Sequence, residues 1–228
     1  MKALGFTGHT FLICFLMALL VSCSTLPVIK HTGSQASVME KCRLPFLDMP
    51  YRYVHAREVA VSGVTGGTVL GVTVVNPQTR AVRSAIITLE GFLLFDAEYE
   101  KEMTIHHALP PFDGKDFAEH MIEDIRLVFL SPEGRLKDAG VLENGAALCR
   151  YETKEDEILD VIILRDDAWE ITTYRSSYER LRKVSAFSVQ KGIPGALELT
   201  TFQGRTYSLK MTLIDAEPVS PEATNDAP

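Results

Sequence analysis

The sequence predicts an α+β domain: an antiparallel sheet, curved or closed, with a helix packed on it. Three observations lead there. Apolar residues recur with a period of two in short runs bounded by Gly, Pro and Asn, the pattern of strands joined by tight turns. Residues 114–129 carry a helical period instead. In several strand runs (69–75, 86–89, 92–95 and 158–164) apolar side chains fall on both faces, where a sheet wetted on one side shows alternation. Something apolar must therefore cover each face, and one helix supplies only part of that cover.

The elements follow in order. Residues 51–61 (YRYVHAREVAV) are rich in aromatic and β-branched types. Gly63, Gly66 and Gly67 predict a turn, after which 68–75 sets Leu70, Val72 and Val74 on one face. Asn76-Pro77 marks the next turn, followed by strands at 80–89, 92–95 and 98–105, and Pro110-Pro111 closes this region. In the helix, Phe117, Met121, Ile125 and Phe129 recur every four residues, with Val128 beside them. Glu119, His120, Glu123, Asp124 and Arg126 are placed on the other face. Ser131-Pro132 and Gly134 end the helix. Further strands are expected at 147–152, 157–164, 169–175, 182–189, 196–202 and 206–214. Their short connections imply antiparallel neighbours, hence a meander.

The N-terminal segment has a different logic. Lys2 precedes an unbroken apolar run, FLICFLMALLV at 11–21. That run is shorter than the about 20 residues a bilayer-spanning helix needs, and it has the length of a secretory h-region. Leu20-Val21-Ser22-Cys23 resembles the lipobox of bacterial lipoproteins, in which the cysteine is acylated and becomes the new N-terminus. The resemblance implies diacylglycerol and palmitate-type chains on Cys23. Each buried CH₂ contributes about 0.8 kcal/mol, so two or three chains hold a domain on a membrane. Ser24 after the cysteine implies sorting to the outer membrane, facing the periplasm. The expected organisation is a signal peptide at 1–22, a lipidated tether at 23–41, one domain at 42–216 and a disordered tail at 217–228. An ordinary signal peptide that happens to contain a cysteine is the alternative.

Composition narrows the partners. A net charge of −7 with no Lys/Arg cluster leaves no electrostatic footprint for nucleic acid or anionic headgroups. Of four cysteines, Cys14 leaves with the signal and Cys23 carries lipid. Cys42 and Cys149 remain as disulfide candidates in an oxidising compartment, or as two separate buried thiols.

Searches for catalytic motifs return nothing: no G-x-S-x-G, H-E-x-x-H, P-loop or C-x-x-C occurs. The expectation is a protein that is no enzyme and holds no cofactor. His106, His107, Asp113, Asp116, Glu119, His120, Glu123 and Asp124 are concentrated within a short stretch, and Glu119/Glu123 and His120/Asp124 have the i,i+4 spacing of shared ligands. Because they lie opposite the apolar stripe, they read as a solvated helix face, with Asp116 suiting the helix dipole. No metal site is predicted. Trp169, at a strand start, reads as core or pocket wall.

Residues 191–219, KGIPGALELTTFQGRTYSLKMTLIDAEPV, resemble the close of the lipoprotein carrier/receptor (LolA/LolB-like) superfamily. Pro194 leads into a strand, Gly204 makes a hairpin, and a strongly alternating strand follows. The resemblance implies an incomplete barrel that holds acyl chains on its concave face beneath helices. Phe117, Met121, Ile125, Phe129 and Trp169 are then the candidate lining of an apolar cavity. The implied function is binding or carrying lipid, acyl chains or an acylated ligand from a membrane anchor. The alternative is a non-catalytic envelope adaptor that recruits a protein partner. Labelled palmitate fed to a bacterium expressing the full chain should enter the wild type and not Cys23→Ser; equal labelling of both would disprove lipidation at Cys23.

Overall fold

A computed structural model describes residues 26–61, 64–153, 156–165, 167–203 and 207–219. The expected signal segment, Cys23, Gly63, Gly204 and the chain from 220 lie outside the described residues. Twelve strands form one antiparallel sheet: β1 (Tyr51–Val61), β2 (Val64–Asn76), β3 (Ala81–Ile87), β4 (Leu93–Tyr99), β5 (Met103–Ala108), β6 (Gly134–Val141), β7 (Ala147–Thr153), β8 (Ile158–Arg165), β9 (Ala168–Tyr174), β10 (Arg180–Gln190), β11 (Ile193–Thr201) and β12 (Tyr207–Pro218). Two helices accompany them among the described residues, α1 (Gln35–Lys41) and α2 (Lys115–Phe129).

The spatial order is β5-β4-β3-β2-β1-β12-β11-β10-β9-β8-β7-β6. The chain meanders outward from β1 to one edge at β5, crosses through α2 to the opposite edge at β6, and meanders back to β12. First and last strands then pair at the centre, from Tyr51 opposite Pro218 to Val61 opposite Tyr207. The sheet is curved and does not close: it is an incomplete barrel with a helix as its roof, as the family resemblance implied.

Burial follows the chemistry of each strand. In β3 it alternates strictly, with Val82, Ser84 and Ile86 turned inward. In β8 all six residues of Ile158–Ile163 are buried, so both faces are covered there. Part of the cover on the convex side is the chain before α1. Lys30 and Val141 exchange both backbone hydrogen bonds, at 2.8 and 2.9 Å, and Ile29 packs with Ala146, Leu148 and Ile162. Arg150 meets the fully buried Asp160 through two hydrogen bonds of 2.7 and 2.8 Å and donates a third to the Pro27 carbonyl.

Several boundaries differ from expectation. β2 starts at Val64 and runs through Gly66 and Gly67, so the glycines lie within the strand and not in its turn. The expected strand at 98–105 is divided between the end of β4 and the start of β5 by residues 100–102. β6 was not anticipated. Its sequence GRLKDAGV mixes two glycines and three charged residues with few apolar ones, which suits an edge strand, and Arg135 and Lys137 pair with Glu152 on β7. α1 lies inside the expected tether, buries Val38, and is too short to show a period. β12 continues past residue 216 to Pro218.

Cys42, just after α1, is bonded to Cys149 on β7, with 6.2 Å between their Cα atoms. The bridge closes a loop of 107 residues. In the chain-entropy account a loop near that length stabilises by roughly 4–5 kcal/mol, and often by less in practice. The double variant Cys42→Ala/Cys149→Ala should lose about 2–5 kcal/mol in denaturant unfolding. An unchanged midpoint and slope would show that the bridge constrains nothing.

Candidate functional site

The site is the concave face and the helix that roofs it. α2 buries Ala118, Ile122, Ile125, Val128 and Phe129. Ile125 and Phe129 are buried as expected, whereas Phe117 and Met121 are only half-buried and Ala118 makes the close approach. The first turns pack on β3 and β4, where Phe117 meets Phe95 edge to face at 5.4 Å and Phe112 at 5.2 Å.

Asp124 corrects the expectation of a solvated polar face: it is buried. Tyr207 on β12 donates its hydroxyl to Asp124 Oδ2, and Arg182 Nε on β10 stands 3.4 Å from Oδ1. Arg182 Nη2 also donates to Glu123 at 2.9 Å. Burial pushes the Asp124 carboxyl above the usual range, while Arg182 and the Tyr207 hydroxyl pull it back. One helix therefore grips both halves of the sheet, by apolar packing on one side and by a polar clasp on the other.

Beneath it lies a continuous core. Tyr53 stacks on Phe129 with ring centroids 4.6 Å apart, and on Tyr51 and His55 at 5.7 Å each. Trp169 lies in the same core, between Ile163 and Ala186 in register. Of the five predicted cavity residues, Ile125, Phe129 and Trp169 belong to this core. Phe117 and Met121 join a neighbouring cluster with Ile86, Phe95, Ala97 and Ala118, Met121 touching both.

The sequence reading missed a polar inclusion in this apolar face. Tyr53, His55 and Arg57 alternate along one face of β1 with exposures of 0, 1 and 5 %, beside buried Thr73 on β2 and Ser84 on β3. Arg57 Nη2 donates to Thr73 Oγ1 at 2.6 Å, and Thr73 and Ser84 share a hydrogen bond of 3.3 Å. Arg57 Nε, both His55 ring nitrogens and the Tyr53 hydroxyl are buried with no partner. A Cβ at position 71 would overlap the Arg57 guanidinium, so Gly71 gives that side chain its room. Burial lowers the Arg57 guanidinium to about 10; burial, then the charge of Arg57, lowers His55 to about 3.

The histidine- and acid-rich stretch does not assemble. His106 faces Glu98 at 3.2 Å, His107 stands opposite Asp96 in register, His120 is exposed, and Glu119 pairs with Lys115. Among the described residues, no three potential ligands gather as a metal would require. At the β3–β4 hairpin, Leu89 and Phe92 are 63 and 69 % exposed, and Leu93 and Leu109 are exposed beside them. An open polar recess of about 560 Å³ lies around Glu133, Arg135 and Glu152, whose charges already pair across it or nearby.

A half-barrel whose concave face is roofed by one helix is the class of fold that these elements define. No family model matches the chain, and no curated protein matches it by sequence. Solved structures do. The fold is similar to that of a LolA superfamily protein from Nitrosomonas europaea, with a TM-score of 0.52 and 8 % identity over 86 % of this chain and 99 % of that one. It is also similar to a domain from Vibrio parahaemolyticus described as outer membrane lipoprotein-sorting, with a TM-score of 0.51 and 9 % identity over 84 % of this chain and 95 % of that one. The chain has the LolA-like fold.

His55 makes stability depend on pH. Folded, it stays neutral down to about 3, while in the unfolded chain it takes up a proton near 6.5. Its contribution is fully present above that unfolded value and is lost as pH falls from 6.5 toward 3. The slope is up to about 1.4 kcal/mol per pH unit. Denaturant unfolding between pH 7 and 4 should be visibly flatter for His55→Gln than for the wild type; identical profiles would mean that His55 titrates in the folded protein as it does in water.

Proposed function

We propose that the protein is a non-enzymatic carrier of acyl chains in the bacterial envelope. It is held on the outer membrane by lipid on Cys23 and faces the periplasm. The observation that supports this best is an apolar concave face, in a sheet that does not close, roofed by one helix. A closed barrel admits ligand only at its mouths. Here the whole concave face opens once α2 lifts, and on the β10–β12 side Glu123 and Asp124 clasp Arg182 and Tyr207. Residues Phe117, Met121, Ile125, Phe129 and Trp169 would exchange contacts with one another for contacts with the chain. Leu89, Phe92, Leu93 and Leu109 form an exposed apolar tip suited to meeting a bilayer. The similar Vibrio domain is described as sorting lipoproteins, and an acylated protein is one ligand that such a face would suit.

Purified protein carrying Cys23→Ala should bind a fluorescent fatty acid saturably and release co-purified lipid in native mass spectrometry. Joining Glu123→Cys to Arg182→Cys with a bifunctional thiol reagent long enough to replace the ion pair should fix the helix and suppress uptake, whereas the unjoined double variant should still bind. A chain that neither carries nor takes up lipid would sink the carrier reading. The second reading, a partner-recruiting adaptor, draws on the edge strand β5, where Thr104, Ile105 and His106 are exposed. A stable protein partner with no lipid would favour it.

A further inference from the structure

Among the described residues, buried charges are paired, with one exception. Asp160 is held by Arg150, and Asp124 by Arg182 and Tyr207. Arg57 is buried just as deeply, yet among the described residues no carboxylate pairs with it, and its one hydrogen bond goes to Thr73. A guanidinium without a counter-charge in an apolar interior is costly, and replacing it with a well-packed apolar residue generally stabilises a fold. This arginine is also given room: Gly71 leaves the backbone of β2 bare beneath it.

Each unpartnered group around it has a donor to offer. Arg57 Nε–H and the Tyr53 hydroxyl can each donate, and the neutral His55 ring holds one N–H. Surplus donors beside a fixed positive charge match an oxyanion. The surroundings match a hydrocarbon: Arg57 stands opposite Val69 on β2 and Met211 on β12, with Leu197 beyond Met211 and Met121 in the roof above Val69's cluster.

We propose that Arg57, with Tyr53, His55, Thr73 and Ser84, is a subsite for the anionic head of an amphiphile, a carboxylate or a phosphate, whose acyl tail lies along the concave face. The ligand then enters head first beneath α2, and its charge supplies the partner that Arg57 lacks. The proposal rests on the acyl-carrier reading and narrows its ligand from any acyl chain to an anionic one.

The test compares Cys23→Ala protein with and without Arg57→Met for binding of oleate, 1-oleoyl-lysophosphatidate, oleyl alcohol and inorganic phosphate, all below micellar concentrations. The protein with Arg57 should bind at least one anionic amphiphile about tenfold or more tighter than the alcohol. The better of the two identifies the head. Arg57→Met should bind all three amphiphiles with the alcohol's affinity and should melt no lower than its parent. Equal affinity for the three amphiphiles in the presence of Arg57 overturns the subsite and leaves the acyl-carrier reading standing, whereas no binding of any of them overturns both. Inorganic phosphate binding as tightly as the amphiphiles overturns the head-group assignment in favour of a free anion. Should Arg57→Met fail to fold, nuclear magnetic resonance of His55 decides: its pKa should climb from about 3 when oleate binds and stay there with oleyl alcohol. Bound oleate that leaves His55 unmoved overturns the proposal.

Discussion

A sheet that does not close leaves its concave face to whatever connects its two edges, and here the connection is one helix. Twelve strands laid flat would span about 50 Å, and the helix of 15 residues is about 22 Å long. Residues 109–114 and 130–133 add the only slack between β5 and β6. The edges must therefore curl toward one another until the helix and its two short leads can reach across. β-bulges supply local bending where β12, β2, β4 and β5 each carry one more residue than the strand they pair with, opposite Val54/His55, Glu58/Ala60, Ile86/Ile87 and Asp96/Ala97. The curvature that creates a concave face and the cover that keeps it dry are one constraint.

That constraint sets what lies beneath. The core column of Tyr51, Tyr53 and His55, capped by Phe129, joins the seam at β1 to the end of the helix. Most of this face is apolar, and its polar members cost stability unless they are partnered. Asp124 is partnered within the fold, and the pairing holds the helix down. Arg57 is not, and the fold keeps it. Stability alone would replace Arg57 and His55 with apolar residues, so their presence marks the region where folding and function make different demands on the same side chains.

Much of this was legible in the chain. Period-two runs located most strands, and the helix was readable within a residue. A sheet covered on both faces leaves just such a trace, apolar residues on both strand faces and one amphipathic segment. What escaped did so for physical reasons. β6 is a glycine-containing edge without alternation, and α1 shows too few turns. Asp124 was placed by its charge, although at 100° per residue it falls only about 20° from Phe117 on the helix surface. It belongs to the margin of the buried stripe, where β12 can reach it. On β1 the alternation sets Tyr51, Tyr53, His55 and Arg57 against Arg52, Val54, Ala56 and Glu58. The second set looks at least as apolar, so only packing under α2 decides which face turns inward.

The pairing of first and last strands has a consequence for how the molecule is made. Every other pair in the sheet joins neighbours along the chain and can form as soon as a hairpin has been synthesised. β1 waits for β12, whose residues come some 150 positions later, Tyr51 meeting Pro218. Until then its outer edge is bare and its buried arginine and histidine are exposed to water. The disulfide can close once residue 149 is available, well before the seam. Completing the sheet therefore requires the most distant strand pairing in it, a long-range closure of the kind that slows folding. The centre of the sheet is the last part for which the chain supplies both strands.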